Sequence, residues 1–199
     1  MITVIDLVRH GEPVGGRKYR GQTDDPLSEN GWSQMWESCA KFSGWQHIVT
    51  SPLSRCSDFA RALGARLQIP VTADERLKEI AFGAWEGKLP SEICANDTQR
   101  LFRFKCHPVS YAPDDAEPLS SFHERVGAAW SDLLKAHSGK HLLLVGHAGV
   151  IRMVLCHVLG MPVENAYRIV VGNAAMTRIQ IEHQDGQFLA TLMFHEGRS

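Results

Sequence analysis

Ile2-Thr3-Val4-Ile5-Asp6-Leu7-Val8-Arg9-His10-Gly11-Glu12 decides the reading of the fold. Residues 2–8 are apolar and rich in β-branched side chains, interrupted by Asp6, the pattern of a strand buried on both faces. Such a strand belongs to a parallel sheet with helices packed above and below it. The run turns polar at Arg9-His10 and enters a loop punctuated by Pro13, Gly15, Gly16 and Gly21. Reactive side chains therefore stand at a strand's carboxyl end, where open α/β sheets bind ligands.

Downstream, Ser28 has the character of an N-cap, and Trp32, Met35, Trp36 and Cys39 recur behind it at helical spacing. His47 to Thr50 reads as a second strand. Ser51-Pro52 predicts a helix start, with serine as cap and proline in the first turn. Leu53, Cys56, Ala60, Leu63 and Leu67 give that helix one apolar face. Gln68 to Ala73 predicts a third strand. Residues 88–119 are irregular and broken by Pro108, Pro113 and Pro118, so short helices and loops are expected there. Ser121-Phe122-His123-Glu124 has the form of a capping box opening a helix to about His137. Leu142 to Val145 predicts another buried strand and Ala148 to Leu159 an apolar helix ended by Gly160. In the tail, Thr177, Ile179 and Ile181 alternate with polar residues, Asp185-Gly186 marks a turn, and Phe188 to Phe194 resumes a strand. The expectation is one α/β domain over residues 1–199. It is a three-layer sandwich with a mainly parallel central sheet and helices on both faces.

A net charge of -1 lacks the basic footprint of a nucleic-acid binder. No apolar run reaches the ~18–20 residues of a membrane span, and no basic segment precedes a long apolar one as in a secretory signal. Cys39, Cys56, Cys94, Cys106 and Cys156 are odd in number and widely spaced, which suits a reducing cytoplasmic setting with the thiols as small buried hydrophobes. His137 and His141 straddle Gly139 at a helix-to-strand junction, a poor arrangement for zinc.

Three strand ends carry chemistry: Arg9-His10-Gly11-Glu12, Ser51-Pro52-Leu53-Ser54-Arg55 and Gly146-His147-Ala148-Gly149. In a parallel sheet they converge on one edge. Arg9 and Arg55 can each donate two parallel hydrogen bonds to phosphate oxygens. The amides of Ala148 and Gly149 open a helix and add donors. His10 and His147 complete an anion pocket, since neutral imidazole can attack phosphorus and a donating imidazole can stabilise the transferring group. Glu79, in the stretch Glu79 to Gly87, is the candidate acid for a leaving oxygen. Taken singly, each of these residues is equally consistent with a packed or solvated structural role; their joint placement at strand ends carries the argument.

These residues resemble the histidine phosphatase superfamily, which includes the cofactor-dependent phosphoglycerate mutases. The resemblance runs through Leu7 to Glu12, Gly21 to Gly31, Ser51 to Arg55, Glu79 to Gly87 and Gly146 to Gly149, in the family's order. It implies that His10 is the phosphate-accepting nucleophile, that Arg9, Arg55 and His147 clamp the phosphoryl group, and that Glu79 is the proton donor. Gln22, Thr23 and Ala148 are carried with them as substrate contacts. It implies no metal and no cofactor, and as partner a small phosphate ester, with no nucleic acid or membrane; a homodimer stays open. The mutases usually place Ser-x-x-Asn after the first motif, where this chain has Glu12-Pro13-Val14-Gly15-Gly16-Arg17, so the phosphatase branch is favoured. Leu159 to Glu164 and Phe188 to Leu192 resemble the C-terminal portion of α-ribazole phosphatases of the cobalamin pathway. A broad-specificity or sugar-phosphate phosphatase, a mutase and a non-catalytic phospholigand-binding module are the alternatives. Residues 88–119 and the loop from Pro13 to Asp25 are expected to set specificity, with Arg17, Lys18, Arg20, Lys88 and Arg103 as candidates for a second anionic group.

Overall fold

The computed structural model describes residues 1–184 and 187–196. Along the chain lie β1 (Ile2–Arg9), α1 (Glu29–Cys39), β2 (His47–Thr50), α2 (Ser54–Leu67), β3 (Val71–Ala73), α3 (Pro90–Ile93), α4 (Arg100–Cys106), α5 (Leu119–Ala136), β4 (His141–Gly146), α6 (Ala148–Leu159), β5 (Met176–Gln184) and β6 (Gln187–His195). The strands form one sheet in the order β3-β2-β4-β1-β5-β6. The first four are mutually parallel, and β5 and β6 add antiparallel beyond β1. The architecture is therefore the mixed, mostly parallel α/β sandwich expected. The Asp185-Gly186 turn expected between the last two strands lies outside the described residues.

Strand alternation sorts the core into two layers. Ile5, Leu142 and Leu144 pack with Phe122, Trp130, Val150 and Ile151, so α5 and α6 cover one face. Val8, Leu143 and Val145 pack with Met35 and Phe59, so α1 and α2 cover the other. Each fully buried leucine or isoleucine contributes roughly 1.5–3 kcal/mol of transfer free energy, which fixes β1 and β4 at the centre.

Asp6, the interruption in β1, is wholly buried. Its carboxylate accepts from Arg178 Nε at 2.7 Å and Nη2 at 2.9 Å and from Trp45 Nε1 at 2.8 Å, and lies 2.9 Å from His141 Nε2. Burial alone would raise its pKa; the hydrogen bonds from Arg178, His141 and Trp45 outweigh burial and lower it. His141 is thus engaged by Asp6, while the His137 ring packs 4.5 Å from His47.

Four local expectations are corrected. Ser51-Pro52 does not cap α2: the helix begins at Ser54, and Asp24 Oδ1, from the loop between β1 and α1, accepts from Ser54 N at 2.7 Å and Ser54 Oγ at 2.8 Å. A side chain distant in sequence thus satisfies the first amide. Ser121 lies inside α5, which starts two residues earlier behind Pro118, a residue already fixed at φ -57°. The third strand is shorter than expected, because Gln68 ends α2 in the left-handed region at φ 57°. Cys106 is exposed and Cys94 half-buried, since they sit in the irregular segment rather than over the sheet; Cys39, Cys56 and Cys156 are buried as expected.

Candidate active site

β1 and β4 pair in parallel with Arg9 opposite Gly146, so the residues that follow each strand emerge side by side. His10 and His147 consequently meet with ring centroids 5.3 Å apart. β2 lies on the other side of β4, and α2, which follows it, carries Arg55 to the same edge.

His10 Nδ1 lies 2.7 Å from the carbonyl oxygen of Gly11. A carbonyl can only accept, so Nδ1 carries the proton and Nε2 keeps its lone pair. His147 Nε2 lies 2.7 Å from Ser51 Oγ, the hydroxyl that sequence spacing assigned to a helix cap. Both rings are buried, and both pKa values fall well below 6.5. Burial is the first cause; next come the charges of Arg9 and Arg55 on His10, and of Arg55, His10 and Arg9 on His147. The site thus holds two neutral imidazoles beside cationic guanidiniums.

Arg9 Nη1 donates to Val171 O at 2.7 Å, and Arg55 donates from Nη1 to Thr23 O at 2.8 Å and from Nη2 to Gly21 O at 2.7 Å. The Nε atoms of Arg9 and Arg55 are buried and meet no acceptor among the described residues. A buried donor left unpaired costs about 1–3 kcal/mol, and an anion between the two guanidiniums would satisfy both. Burial and the neighbouring Arg152, Arg55 and Arg17 charges hold Arg9 down to about 10 against the opposing pull of Glu79, so it stays cationic near neutral pH.

Glu79 arrives from the loop before α3. Its Oε1 accepts from Ile80 N and its Oε2 from Gly149 N, each at 3.1 Å. The Gly149 amide, expected as a phosphate donor, is therefore spent on positioning this carboxylate. Arg9, His10, Arg55, Glu79 and His147 are brought together as the sequence predicts. Gln22 and Thr23 sit in the loop that receives Arg55, and Gln22 Nε2 reaches Glu79 O at 3.4 Å. The Thr23 hydroxyl donates to Glu86 Oε2 at 2.8 Å, while Ala148 opens α6 beside His147. Of the second-anion candidates, Arg20 is paired with Asp25 and Arg103 with Asp97. Arg17 and Lys88 are exposed.

Three residues escaped sequence reasoning. Glu86 accepts from the amides of Gln22, Thr23 and Phe82, each at 3.0 Å, and so fixes the loop whose carbonyls receive Arg55. Arg152 stacks 5.2 Å from the Tyr167 ring centroid and adds positive charge near Arg9; its position three residues after Gly149 on α6 was the available signal. Arg125 hydrogen-bonds the carbonyls around Glu79, from 46 residues away in sequence, where no local signal exists. Beside Ile80 opens a cavity of about 460 Å³, walled by Phe82, Phe104, Val109, Pro113, Leu119 and Tyr167. The charged residues lining it are Glu117 and Glu164. Among the described residues no group of three or more His, Cys, Asp or Glu side chains is placed to hold a metal ion, and no helix is long and apolar enough to cross a membrane.

The description of the histidine phosphatase superfamily (branch 1) matches residues 5–192. The chain belongs to the histidine phosphatase superfamily. As a phosphatase or mutase of this superfamily it acts on phosphate esters. GpmB of Klebsiella pneumoniae (strain 342), named as a probable phosphoglycerate mutase, is 30% identical over 193 residues, covering 93% of this chain and 87% of that protein. A mycobacterial glucosyl-3-phosphoglycerate phosphatase, solved as a complex with VO3, superposes with a TM-score of 0.84 at 26% identity, over 96% of this chain and 97% of that one. An Escherichia coli K-12 chain with a provisional α-ribazole-5′-P phosphatase designation shares the fold, with a TM-score of 0.81 at 24% identity over 98% of this chain and 97% of that one.

Proposed function

We propose that this superfamily member is a metal-independent phosphomonoester hydrolase, one domain over residues 1–199 acting in the cytoplasm through a phosphohistidine at His10. The observation that carries this reading is the His10 ring. Its Nδ1 is committed to Gly11 O, which leaves Nε2 as a neutral nucleophile beside two guanidiniums with unsatisfied donors. Nε2 attacks phosphorus in line while the ester P–O bond breaks. Glu79, as the carboxylic acid, gives its proton to the departing alcohol oxygen. Arg9 and Arg55 balance the charge on the transferring group, and a neutral His147 donates a hydrogen bond to it. Glu79, now a carboxylate, takes a proton from a water that attacks phosphorus. The P–N electrons return to Nε2 and orthophosphate leaves.

The alcohol is a small metabolite carrying an apolar ring, with α-ribazole 5′-phosphate as the leading substrate. The cavity beside Ile80 supports this: its walls are aromatic and aliphatic, its charged linings are acidic, and residues 104–119 supply much of it. An acidic lining disfavours a second phosphate or carboxylate, which weighs against a sugar bisphosphate phosphatase and against mutase action on phosphoglycerate. The test is release of orthophosphate from α-ribazole 5′-phosphate, 3-phosphoglycerate and sugar phosphates, with chelator present and with rapid-quench trapping of phosphoenzyme. Acid-labile phosphoenzyme in the wild type and none in H10A is expected. Isomerisation of 3-phosphoglycerate outrunning hydrolysis, or full turnover by H10A, overturns the reading.

A further inference from the structure

The Glu79 loop is held by one side chain of α5. Arg125 Nη1 donates to Arg76 O at 2.6 Å and to Lys78 O at 2.8 Å, and Nη2 donates to Glu79 O at 3.1 Å. The same guanidinium grips Glu117 in a two-point pair, Nε to Oε1 at 2.6 Å and Nη2 to Oε2 at 2.8 Å. Its five N–H donors are thereby all engaged. Glu117 extends the clamp past Glu79: its Oε2 accepts from Ala81 N at 3.3 Å, and its own amide donates to Ala81 O at 3.0 Å. Backbone groups at positions 76, 78, 79 and 81 are thus tied to one ion pair, half-buried and stacked 4.6 Å from the Phe122 ring centroid. Glu117 also lines the apolar cavity.

We infer that Arg125 and Glu117 are positioning residues for leaving-group protonation, joining the wall of the alcohol cavity to the carboxylate that faces the ester oxygen. The inference rests on the reading of Glu79 as the general acid. A planar fork makes all five contacts at once, whereas a lysine ammonium has three donors and no fork. Loss of the fork frees the loop, and a displacement of about 1 Å at a catalytic group costs about 10²-fold. On the proposed reading phosphate is held by Arg9 and Arg55, whereas the hydrogen bonds of Arg125 go to Glu117 and to the carbonyls of Arg76, Lys78 and Glu79.

The test compares R125M, R125K and E117Q with E79Q. Phosphoenzyme formation is followed by rapid quench with an alkyl phosphate and with 4-nitrophenyl phosphate, whose leaving group needs little protonation. Calorimetric binding of inorganic phosphate and thermal melting accompany the kinetics. R125M is expected to lose about 10²-fold with the alkyl ester and less than about tenfold with the aryl ester. R125K is expected to recover part of that loss, and phosphate binding to persist. E117Q, which keeps side-chain length, should show the same split and serves if R125M does not fold. Equal losses on both esters in a folded variant, or no loss, overturn the inference provided E79Q shows the split. If E79Q itself lacks the split, the acid assignment fails instead.

Discussion

Gly149→Ala is a sharp perturbation of this site, because it alters neither the nucleophile, the arginines nor the acid. Gly149 lies in the first turn of α6, and its amide holds Glu79 Oε2 at 3.1 Å. A methyl group there would overlap Glu79 Oε1 and stand 3.0 Å from its Cδ and 3.1 Å from Phe122 Cε1. The carboxylate is the free end of a flexible side chain and must give way, while the Phe122 ring need yield only a few tenths of an ångström. Relief of helical glycine favours the folded state by roughly 0.5–1 kcal/mol, which offsets the crowding. Stability is therefore expected to stay within about 1 kcal/mol of wild type. The acid, displaced by about 1 Å, should cost about 10²-fold in cleavage of an alkyl ester, equivalent to about 2.7 kcal/mol of barrier. The assay is single-turnover phosphoenzyme formation from an alkyl and an aryl phosphate, with urea unfolding in parallel. Wild-type rates with the alkyl ester in folded G149A, or a loss equally large with the aryl ester, would refute the reasoning.

Two further outcomes follow from buried charge. Asp6→Asn breaks a fully buried carboxylate network and is expected to cost about 3–5 kcal/mol, or a melting shift of roughly 2–4 °C for each kcal/mol. Because the folded pKa of Asp6 is lowered, its contribution is present above the unfolded 3.8 and lost as pH falls through the folded value, so the two proteins should converge in acid. A loss under about 1 kcal/mol by urea titration at neutral pH would contradict that account. His10 and His147 have folded values well below 6.5, so they bind fewer protons folded than unfolded. Stability is full above pH 6.5 and declines as pH falls toward the folded values, by about 1.4 kcal/mol per pH unit for each ring. His10→Asn should remove one such increment from the slope measured below pH 6.5, and an unchanged slope would show that His10 is not buried neutral.

How far the fold can be read without coordinates depends on the range of the interaction. The largely buried runs at Thr3–Val8 and Leu142–Val145 identify themselves by apolar continuity, and Ala148 to Leu159 by its apolar length and Gly160 stop. Boundaries fail where a distant group intervenes, as at α2, whose first amide is satisfied by Asp24 rather than by Ser51. The antiparallel pairing of β5 with β1 is likewise invisible locally, because alternation gives each strand a buried face without naming its neighbour.

For the site, the sequence by itself determined which chemical groups stand at the ends of strands: Arg9-His10 at the end of β1, Ser51 to Arg55 after β2, and His147 after β4. Side-chain type and strand periodicity are local properties, legible in a few residues. Tertiary structure alone decided how those groups are held. It set the His10 tautomer through Gly11 O, spent the Gly149 amide on Glu79, fixed the loop around Thr23 with Glu86, and bound the acid loop with Arg125 and Glu117. Hydrogen bonds and ion pairs act over about 3 Å, and the residues they join at the site lie as far as 162 positions apart in the chain. For the long-range pairs, Gly149 with Glu79 and Thr23 with Glu86, no short window of sequence contains both partners until the sheet has brought its edges together.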